Sequence, residues 1–457
     1  MTLQEVVPRL FGTNGVRGIV NTPAMDCRFA TRLGMAIGTF MKGPVLIGTD
    51  ARTSSEMLKA ACAAGAMATG CEILDCGVLP TPALQYSVKI TDSISGGIVI
   101  TASHNPPEFN GIKCVDGDGT EMARDNEERI ERIFHSGDFR TATWEQIGRS
   151  SVNDRAIPTY LDSVVSLIDA EAVRLAHLRV ALDCSNGAGA AVTPKILERL
   201  GVEYVTLNAD LNGAFPGHNS EPTPDNARDL VELVKKGGFD LGIIHDGDAD
   251  RTIFVGDTGS YMHGDRSLAI AAHYACLEND GGLVVTTVGS SKCVEDAVKM
   301  AGGRMMFTRV GSPVVARAMI EHGAIFGGEE NGGLIFPELQ HCRDGAMAAA
   351  RLIEIVAKHG KMSELQAMIP AYSQYKTKTS CPDELKDAVI KELSESAKDE
   401  KVDMTDGMKV LFDDGWVLIR PSGTEPIVRI FSEASSPDRA KEIAERFRQH
   451  VAQIVDA

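Results

Sequence analysis

No stretch of this 457-residue chain is apolar for long enough to cross a bilayer, and its first ten residues lack the basic segment and apolar core of a secretory leader. A cytoplasmic protein without a membrane partner is the expectation. Paired cysteines are missing too. The ten cysteines are scattered with neither a CxxC pair nor a Cys/His zinc spacing, and most, such as Cys62, Cys184 and Cys276, fall in apolar segments. Reduced, buried thiols follow from that placement, while Cys114, next to Lys113, is expected to be accessible. Positive charge is also scarce. With 63 Asp and Glu against 46 Lys and Arg, the formal net charge is −17. That excludes a nucleic-acid or general anionic-membrane binder, because counterion release requires clustered Lys and Arg. An anionic small substrate needs local positive loops instead. A dinucleotide site is not written either: SNGAG, with Gly187 and Gly189, has no GxGxxG frame and no acidic partner at the required place.

What the chain does contain is globular. Hydrophobic residues make up 43% and charged residues 24%, and the length allows several domains with ample core. A strand, loop, helix, glycine, strand unit recurs at domain-sized intervals. Val45 to Thr49, Ser54 to Thr69, Gly70 and Glu72 to Leu74 form the first. Arg179 to Asp183, Ala188 to Leu200, Gly201 and Glu203 to Leu207 form the second, and Leu283 to Thr287, Ser290 to Ala301, Gly302 and Arg304 to Thr308 the third. Three related α/β domains with right-handed crossovers are predicted. After Ile369 the texture changes: a polar linker from Pro370 to Pro382, a charged helix from Glu384 to Lys398, strands flanking Asp413 to Gly415, and a last amphipathic helix from Pro437 describe a smaller α+β domain. The expected boundaries are 1–150, 151–255, 256–369 and 370–457.

Five loops carry chemistry. TASHNPPEFNGIK, Thr101 to Lys113, follows the apolar run Gly96 to Ile100 and is kept from helix by Pro106 and Pro107, so the Ser103 hydroxyl sits at a strand end, where ligands bind in open α/β sheets. HDGDADR places Asp246, Asp248 and Asp250 on alternate residues after Leu241 to Ile244. Three such carboxylates repel one another unless a cation lies between them, and the EF-hand pattern with its closing Glu is absent, which leaves a cation such as Mg²⁺ held for chemistry. LFGTNGVRGIV packs glycines around Arg17. GGEENGG holds Glu329, Glu330 and Asn331, groups able to pair with vicinal hydroxyls or an amino group. RPSGTEP, with Arg429 following, joins a guanidinium, hydroxyls and glycine-supported N–H groups into a phosphate cradle.

Four of these loops, TASHNP, DGDADR, GEENGG and RPSGTEP in chain order, resemble those of the α-D-phosphohexomutase family, and the resemblance covers nearly the whole chain. The resemblance implies three similar α/β domains and a smaller α+β fourth around a cleft. It implies Ser103 as phosphoryl carrier, and Asp246, Asp248 and Asp250 as Mg²⁺ ligands together with the Ser103 phosphate. Glu329 and Asn331 become sugar contacts, and Arg420, Ser422, Gly423 and Thr424, with Arg429 near, the phosphate loop. Arg17, His104 and Lys113 are the candidate proton-transfer and charge-stabilising groups. Lys113 is favoured for proton exchange on condition that Arg17 or burial lowers its pKa. Gly333 stands where many relatives carry a histidine.

Within the family, FGTNGVRG is similar to the opening of phosphoglucosamine mutases and GEENGG to an archaeal version of the sugar loop. The implied reaction interconverts glucosamine 6- and 1-phosphates through a hexose or hexosamine 1,6-bisphosphate, by a monomer or homodimer. The alternatives are phosphomannomutase or phosphoglucomutase activity by the same mechanism, a phosphatase, and a non-catalytic sugar-phosphate-binding protein.

Overall fold

The computed structural model describes residues 9–12, 14–398, 400–422 and 425–456. It falls into two compact units: the chain up to Ser267 together with Asn331–Leu365, and Leu268–Glu330 together with the chain from Gln366 onward. The first unit holds two sheets. In one, the strand order is Val16–Ile19, Phe109–Asp116, Gly96–Ile100, Val45–Thr49, Ile73–Val78 and Ser150–Val152. Gly96–Ile100, Val45–Thr49, Ile73–Val78 and Ser150–Val152 run parallel, and Phe109–Asp116 joins the sheet antiparallel. Val45–Thr49 and Gly96–Ile100 are buried throughout, as continuous apolar runs in a two-sided sheet should be. The helix Ser55–Ala68, which crosses over from Val45–Thr49 to Ile73–Val78, packs against Cys27–Met41 at backbone contact. A Cβ on Gly34 would stand 2.1 Å from the Cys62 carbonyl, and one on Gly65 would stand 2.0 Å from that of Thr31. Only glycine permits that approach, and the small-residue spacing of the Ala-rich helix is its sequence signature.

The second sheet of this unit orders Tyr261–Met262, Thr252–Gly256, Leu241–His245, Arg179–Asp183 and Glu203–Leu207, with the last three parallel. Thr252–Gly256 turns back antiparallel on Leu241–His245, and the predicted hairpin turn leads into Tyr261–Met262. Leu241–His245 is fully buried, so it delivers the acidic loop from a rigid strand.

In the second unit, Gly282–Thr287 pairs parallel with Gly303–Thr308 and with Phe326–Glu329. The C-terminal sheet is antiparallel, in the order Ser373–Ser380, Ile427–Ala434, Gly415–Pro421, Met408–Phe412 and Lys401–Asp403. Helices Lys386–Ser396 and Pro437–Asp456 cover a core that includes Val410, Ile430 and Phe447. Two expectations are corrected here. Most of the supposed linker is the strand Ser373–Ser380, paired over its whole length with Ile427–Ala434; alternating polar residues on a half-exposed edge strand look like a linker in sequence. The third-domain strand begins at Phe326 and runs to Glu329, so Glu329 ends a buried strand and is not in the loop. Among the described residues, no helix is long and apolar enough to cross a membrane.

Candidate active site

Ser103 follows the strand Gly96–Ile100 on the connection to Phe109–Asp116. Its φ is 52°, in the left-handed region that an L side chain rarely occupies, and such strain is held only where neighbours over-determine it. Thr101 Oγ1 accepts from the Ser103 N–H at 2.8 Å. Arg52 donates to the carbonyls of Ser103 (2.9 Å), Asn105 (2.5 Å), Pro106 (2.7 Å) and Phe109 (2.8 Å). Asp50, buried beside it, accepts from Arg52 Nε, Thr101 Oγ1 and Ser55 Oγ.

The hydroxyl of Ser103 donates to Asp246 Oδ2 at 2.8 Å. Asp246, Asp248 and Asp250 are buried, and each offers a carboxylate oxygen within 4.8 Å of the others. Gly247 between them has no room for a side chain, since a Cβ there would meet the Ser103 carbonyl oxygen at 2.5 Å. Asp248 and Asp250 each divide their two carboxylate oxygens by role. Oδ2 of Asp248 is bonded to Lys113 Nζ at 2.6 Å and to Thr81 Oγ1 at 2.5 Å, and Oδ2 of Asp250 to Arg343 Nη2 at 2.7 Å, with Lys113 at 3.3 Å. Oδ1 of both is buried without a hydrogen bond. Carboxylate oxygens with unclaimed lone pairs and no soft donor nearby suit a hard cation such as Mg²⁺, so the residues fit that ion.

Charge follows from this packing. Burial raises the pKa of Asp246, and the charges of Asp250 and Asp248 raise it further. Burial alone would raise Asp248 as well, but Lys113 and Thr81 outweigh it and hold the carboxyl well below its ordinary range. Lys113 departs from expectation. Burial and Arg17 do pull it down, yet Asp248 and Asp250 together win, and the ammonium is stabilised above its usual value. Its place also differs from the sequence reading, because it lies within the strand Phe109–Asp116 and not on the serine loop. His104 Nδ1 lies 3.4 Å from Ser103 Oγ, and burial, reinforced by Arg251 and Arg17, depresses the imidazole to about 2, leaving it neutral. Arg17, on the strand Val16–Ile19, donates to Asn105 Oδ1 at 2.9 Å. Cys114 is buried with its thiol pushed well above the ordinary range, against the expected accessibility.

Arg17, Ser103, His104, Lys113 and the three aspartates are thus gathered within one unit. Asn331 belongs to the same unit; its Oδ1 accepts from Gly333 N, and the next carbonyl, that of Gly332, accepts from Thr252 N. Glu329 belongs to the other unit, where Oε1 accepts from Gly311 N at 3.0 Å. There too, Arg420 Nε lies 2.6 Å from Asp406 Oδ2 and Arg429 bonds Glu425 at 2.8 Å. Ser422 receives its loop's returning N–H from Glu425, and Lys386 donates to the carbonyls of Ser422 and Glu425. Gly423 and Thr424 lie outside the described residues.

Arg52, Asp50, Thr81, Arg343 and Lys386 were not singled out in the sequence. Asp50 and Arg52 stand directly after the buried strand Val45–Thr49, a position that could have flagged them. Arg343 is 93 positions from Asp250, and no local pattern joins them.

Known proteins resemble this chain along nearly its whole length. The patterns described as "Phosphoglucomutase/phosphomannomutase" match in all four parts: alpha/beta/alpha domain I over residues 8–141, domain II over 158–259, domain III over 263–372 and the C-terminal domain over 378–450. A "Phosphoglucomutase/phosphomannomutase" of Thermococcus kodakarensis is 45% identical, covering 96% of this chain and 97% of its own. A "Probable phosphoglucosamine mutase" of Methanopyrus kandleri is 39% identical, with 98% and 99% covered. A crystal structure of a phosphoglucomutase/phosphomannomutase family protein from Burkholderia thailandensis superposes with a TM-score of 0.87 at 27% identity, covering 97% of each chain. Match across all four parts and identity at this level leave one conclusion: the chain belongs to the phosphoglucomutase/phosphomannomutase family and is a phosphohexomutase.

Proposed function

We propose that the chain interconverts glucosamine 6-phosphate and glucosamine 1-phosphate, with Ser103 as phosphoryl carrier and a hexosamine 1,6-bisphosphate as intermediate. The observation that carries the mechanism is the 2.8 Å contact of the strained Ser103 hydroxyl with Asp246, inside a buried set of carboxylates and fixed cations. Phosphoryl transfer asks a protein mainly for positioning and charge compensation. In the proposed cycle the Ser103 phosphate passes to the free hydroxyl of a hexose monophosphate, the bisphosphate turns round, and the serine oxygen takes back the other phosphoryl group.

The attacking hydroxyl loses a proton as its new P–O bond forms, and the departing oxygen gains one. His104, 3.4 Å from Ser103 Oγ, stays neutral and is too weakly basic at about 2 to keep such a proton, so its part is to hydrogen-bond the serine oxygen. Lys113, held charged above its usual value by two aspartates, is suited to balance negative charge rather than to give up its proton. Asp246, Asp248 and Asp250, with an oxygen on Ser103, would hold Mg²⁺, which when bound offsets charge on the transferring group. Arg17 would add positive charge beside the serine loop. Glu329 and Asn331 are assigned to the sugar, and Arg420, Ser422, Gly423, Thr424 and Arg429 to its distal phosphate.

The amino sugar is favoured by the adjacent carboxylates of Glu329 and Glu330, which suit an ammonium, and by the name of the Methanopyrus relative. A second reading, glucose or mannose phosphate as substrate, is favoured by the name of the Thermococcus relative. Formation of each 1-phosphate from glucosamine, mannose and glucose 6-phosphates, measured side by side, decides between them. Higher kcat/KM for glucosamine 6-phosphate supports the first reading; preference for either neutral sugar replaces it.

A further inference from the structure

We infer that Arg52 is a positioning residue for the phosphoryl carrier, turning the Ser103–His104 peptide so that the His104 N–H faces the phosphoryl group. This rests on Ser103 being the carrier. A guanidinium has five N–H donors in a rigid plane, and in Arg52 they meet five oxygens. Nε bonds Asp50 Oδ2 at 3.0 Å, while the terminal nitrogens take the carbonyls of Ser103, Asn105, Pro106 and Phe109. Three carbonyls of the serine loop and that of Phe109, which opens the next strand, therefore converge on one buried cation. The cation is sealed from its other side as well. Its Cζ lies 5.0 Å from the centre of the Phe215 ring, and Gly213 approaches so closely that a Cβ there would stand 2.3 Å from Arg52 Cα. The neighbouring acid, Asp50, is itself fixed by Thr101 and Ser55, so the guanidinium has no freedom to follow a moving loop.

The direction of the peptide follows from covalent geometry. In a planar trans peptide the carbonyl of one residue and the N–H of the next point to opposite sides. The Ser103 carbonyl points at Arg52, with Ser220 Oγ also 3.3 Å away. The His104 N–H consequently points away from Arg52. Among the described residues, no acceptor is paired with it, although neighbouring Asn105 N bonds Ala102 O. A backbone donor left open one peptide bond from the carrier is placed to bind a phosphoryl oxygen, and it needs no reorganisation when charge develops there. Thr101 Oγ1 on the N–H of Ser103 and Arg52 on its carbonyl hold both ends of a residue at φ 52°. Lysine at position 52 keeps the charge opposite Asp50, but a single ammonium lacks the planar fork that spans the loop.

The test compares wild type, Arg52→Lys and Asp50→Asn, each phosphorylated with hexose 1,6-bisphosphate. The readouts are intact mass, the ³¹P resonance of the phosphoserine, and separate kcat and KM. Arg52→Lys is expected to lose about 10²-fold in kcat, the size of one lost oxyanion donor. KM should change little, and the ³¹P signal should move toward that of free phosphoserine. Asp50→Asn keeps the guanidinium and should show the same changes to a smaller degree. Guanidinium ion at millimolar concentration should restore part of kcat in Arg52→Ala. An Arg52→Lys enzyme with wild-type kcat per phosphorylated site and an unmoved ³¹P signal overturns the inference. Should Arg52→Lys fail to fold, Asp50→Asn with both readouts unmoved overturns it equally. Wild type that turns over without phosphate on Ser103 overturns the carrier assignment beneath it.

Discussion

Around Ser103 the charged groups are buried and committed, with side-chain exposures of 3% for Lys113, 0% for Asp248 and 5% for Arg343. In the C-terminal sheet Arg420 keeps 24% and Arg429 40%, each beside a single nearby carboxylate. The first arrangement has met its desolvation cost during folding, so its groups stand in place before any substrate arrives. The second keeps its cations in part-exposed pairs, which are worth little and are readily exchanged. One region is built to hold geometry and the other to exchange partners.

That contrast predicts graded effects. Ser103→Ala should lower multiple turnover by at least about 10³-fold, as loss of a nucleophile does, and remove the phosphate seen by intact mass; wild-type turnover would end the covalent scheme. Arg343→Met leaves Asp250 without its 2.7 Å partner. Without divalent ions it should destabilise the protein by roughly 3–5 kcal/mol, the usual cost of breaking a buried pair. Excess Mg²⁺ should restore part of this in urea unfolding, and equal losses with and without the ion would speak against Asp250 as a ligand.

On the exchanging side, Arg420→Ala should raise KM about tenfold, the worth of one charge-assisted hydrogen bond, with folding stability almost unchanged. A large drop in stability would erase the distinction between the regions. The smallest effect belongs to a buried pair away from the chemistry. Burial pulls His218 down, but its hydrogen bond to Asp183 and that carboxylate's charge raise it overall above 6.5. A raised folded pKa gives stability that is complete below the unfolded value and fades as pH rises through the folded one. The stability gap between wild type and His218→Gln should therefore be wider near about pH 6 than near about pH 8.5. A gap independent of pH would mean that His218 contributes by shape alone.

Much of this was legible in residue order. Val45–Thr49, Gly96–Ile100, Arg179–Asp183 and Glu203–Leu207 were predicted to the residue. The first three were readable because buried parallel strands are largely apolar runs ended by turn formers, and Glu203–Leu207, a part-exposed edge strand, because Gly201 stops the helix before it. The aspartate loop was readable because Asp246, Asp248 and Asp250 alternate within one short segment. Ser373–Ser380 was not, since alternating Lys and Thr on an edge strand differ little from a solvated linker. Arg343 and Lys386 escaped for another reason: each acts on a segment tens of residues away, and only the fold makes them neighbours. The sign of the Lys113 shift needed distances, because burial and two aspartates oppose each other and the sum turns on a 2.6 Å contact.

The buried carboxylate of Glu433 carries a practical lesson for rebuilding such enzymes. It accepts from the backbone N–H of Lys292, from Trp416 Nε1 and from Gln374 Nε2, which lie on a helix of the third α/β sequence region and on two strands of the C-terminal sheet. A graft or truncation cut near residue 370 keeps Glu433 with Trp416 and Gln374 but removes Lys292, leaving the carboxylate without that backbone donor. Chimeras that exchange Leu268–Glu330 and the chain from Gln366 as a single cassette keep all three donors and are the recombinants to build.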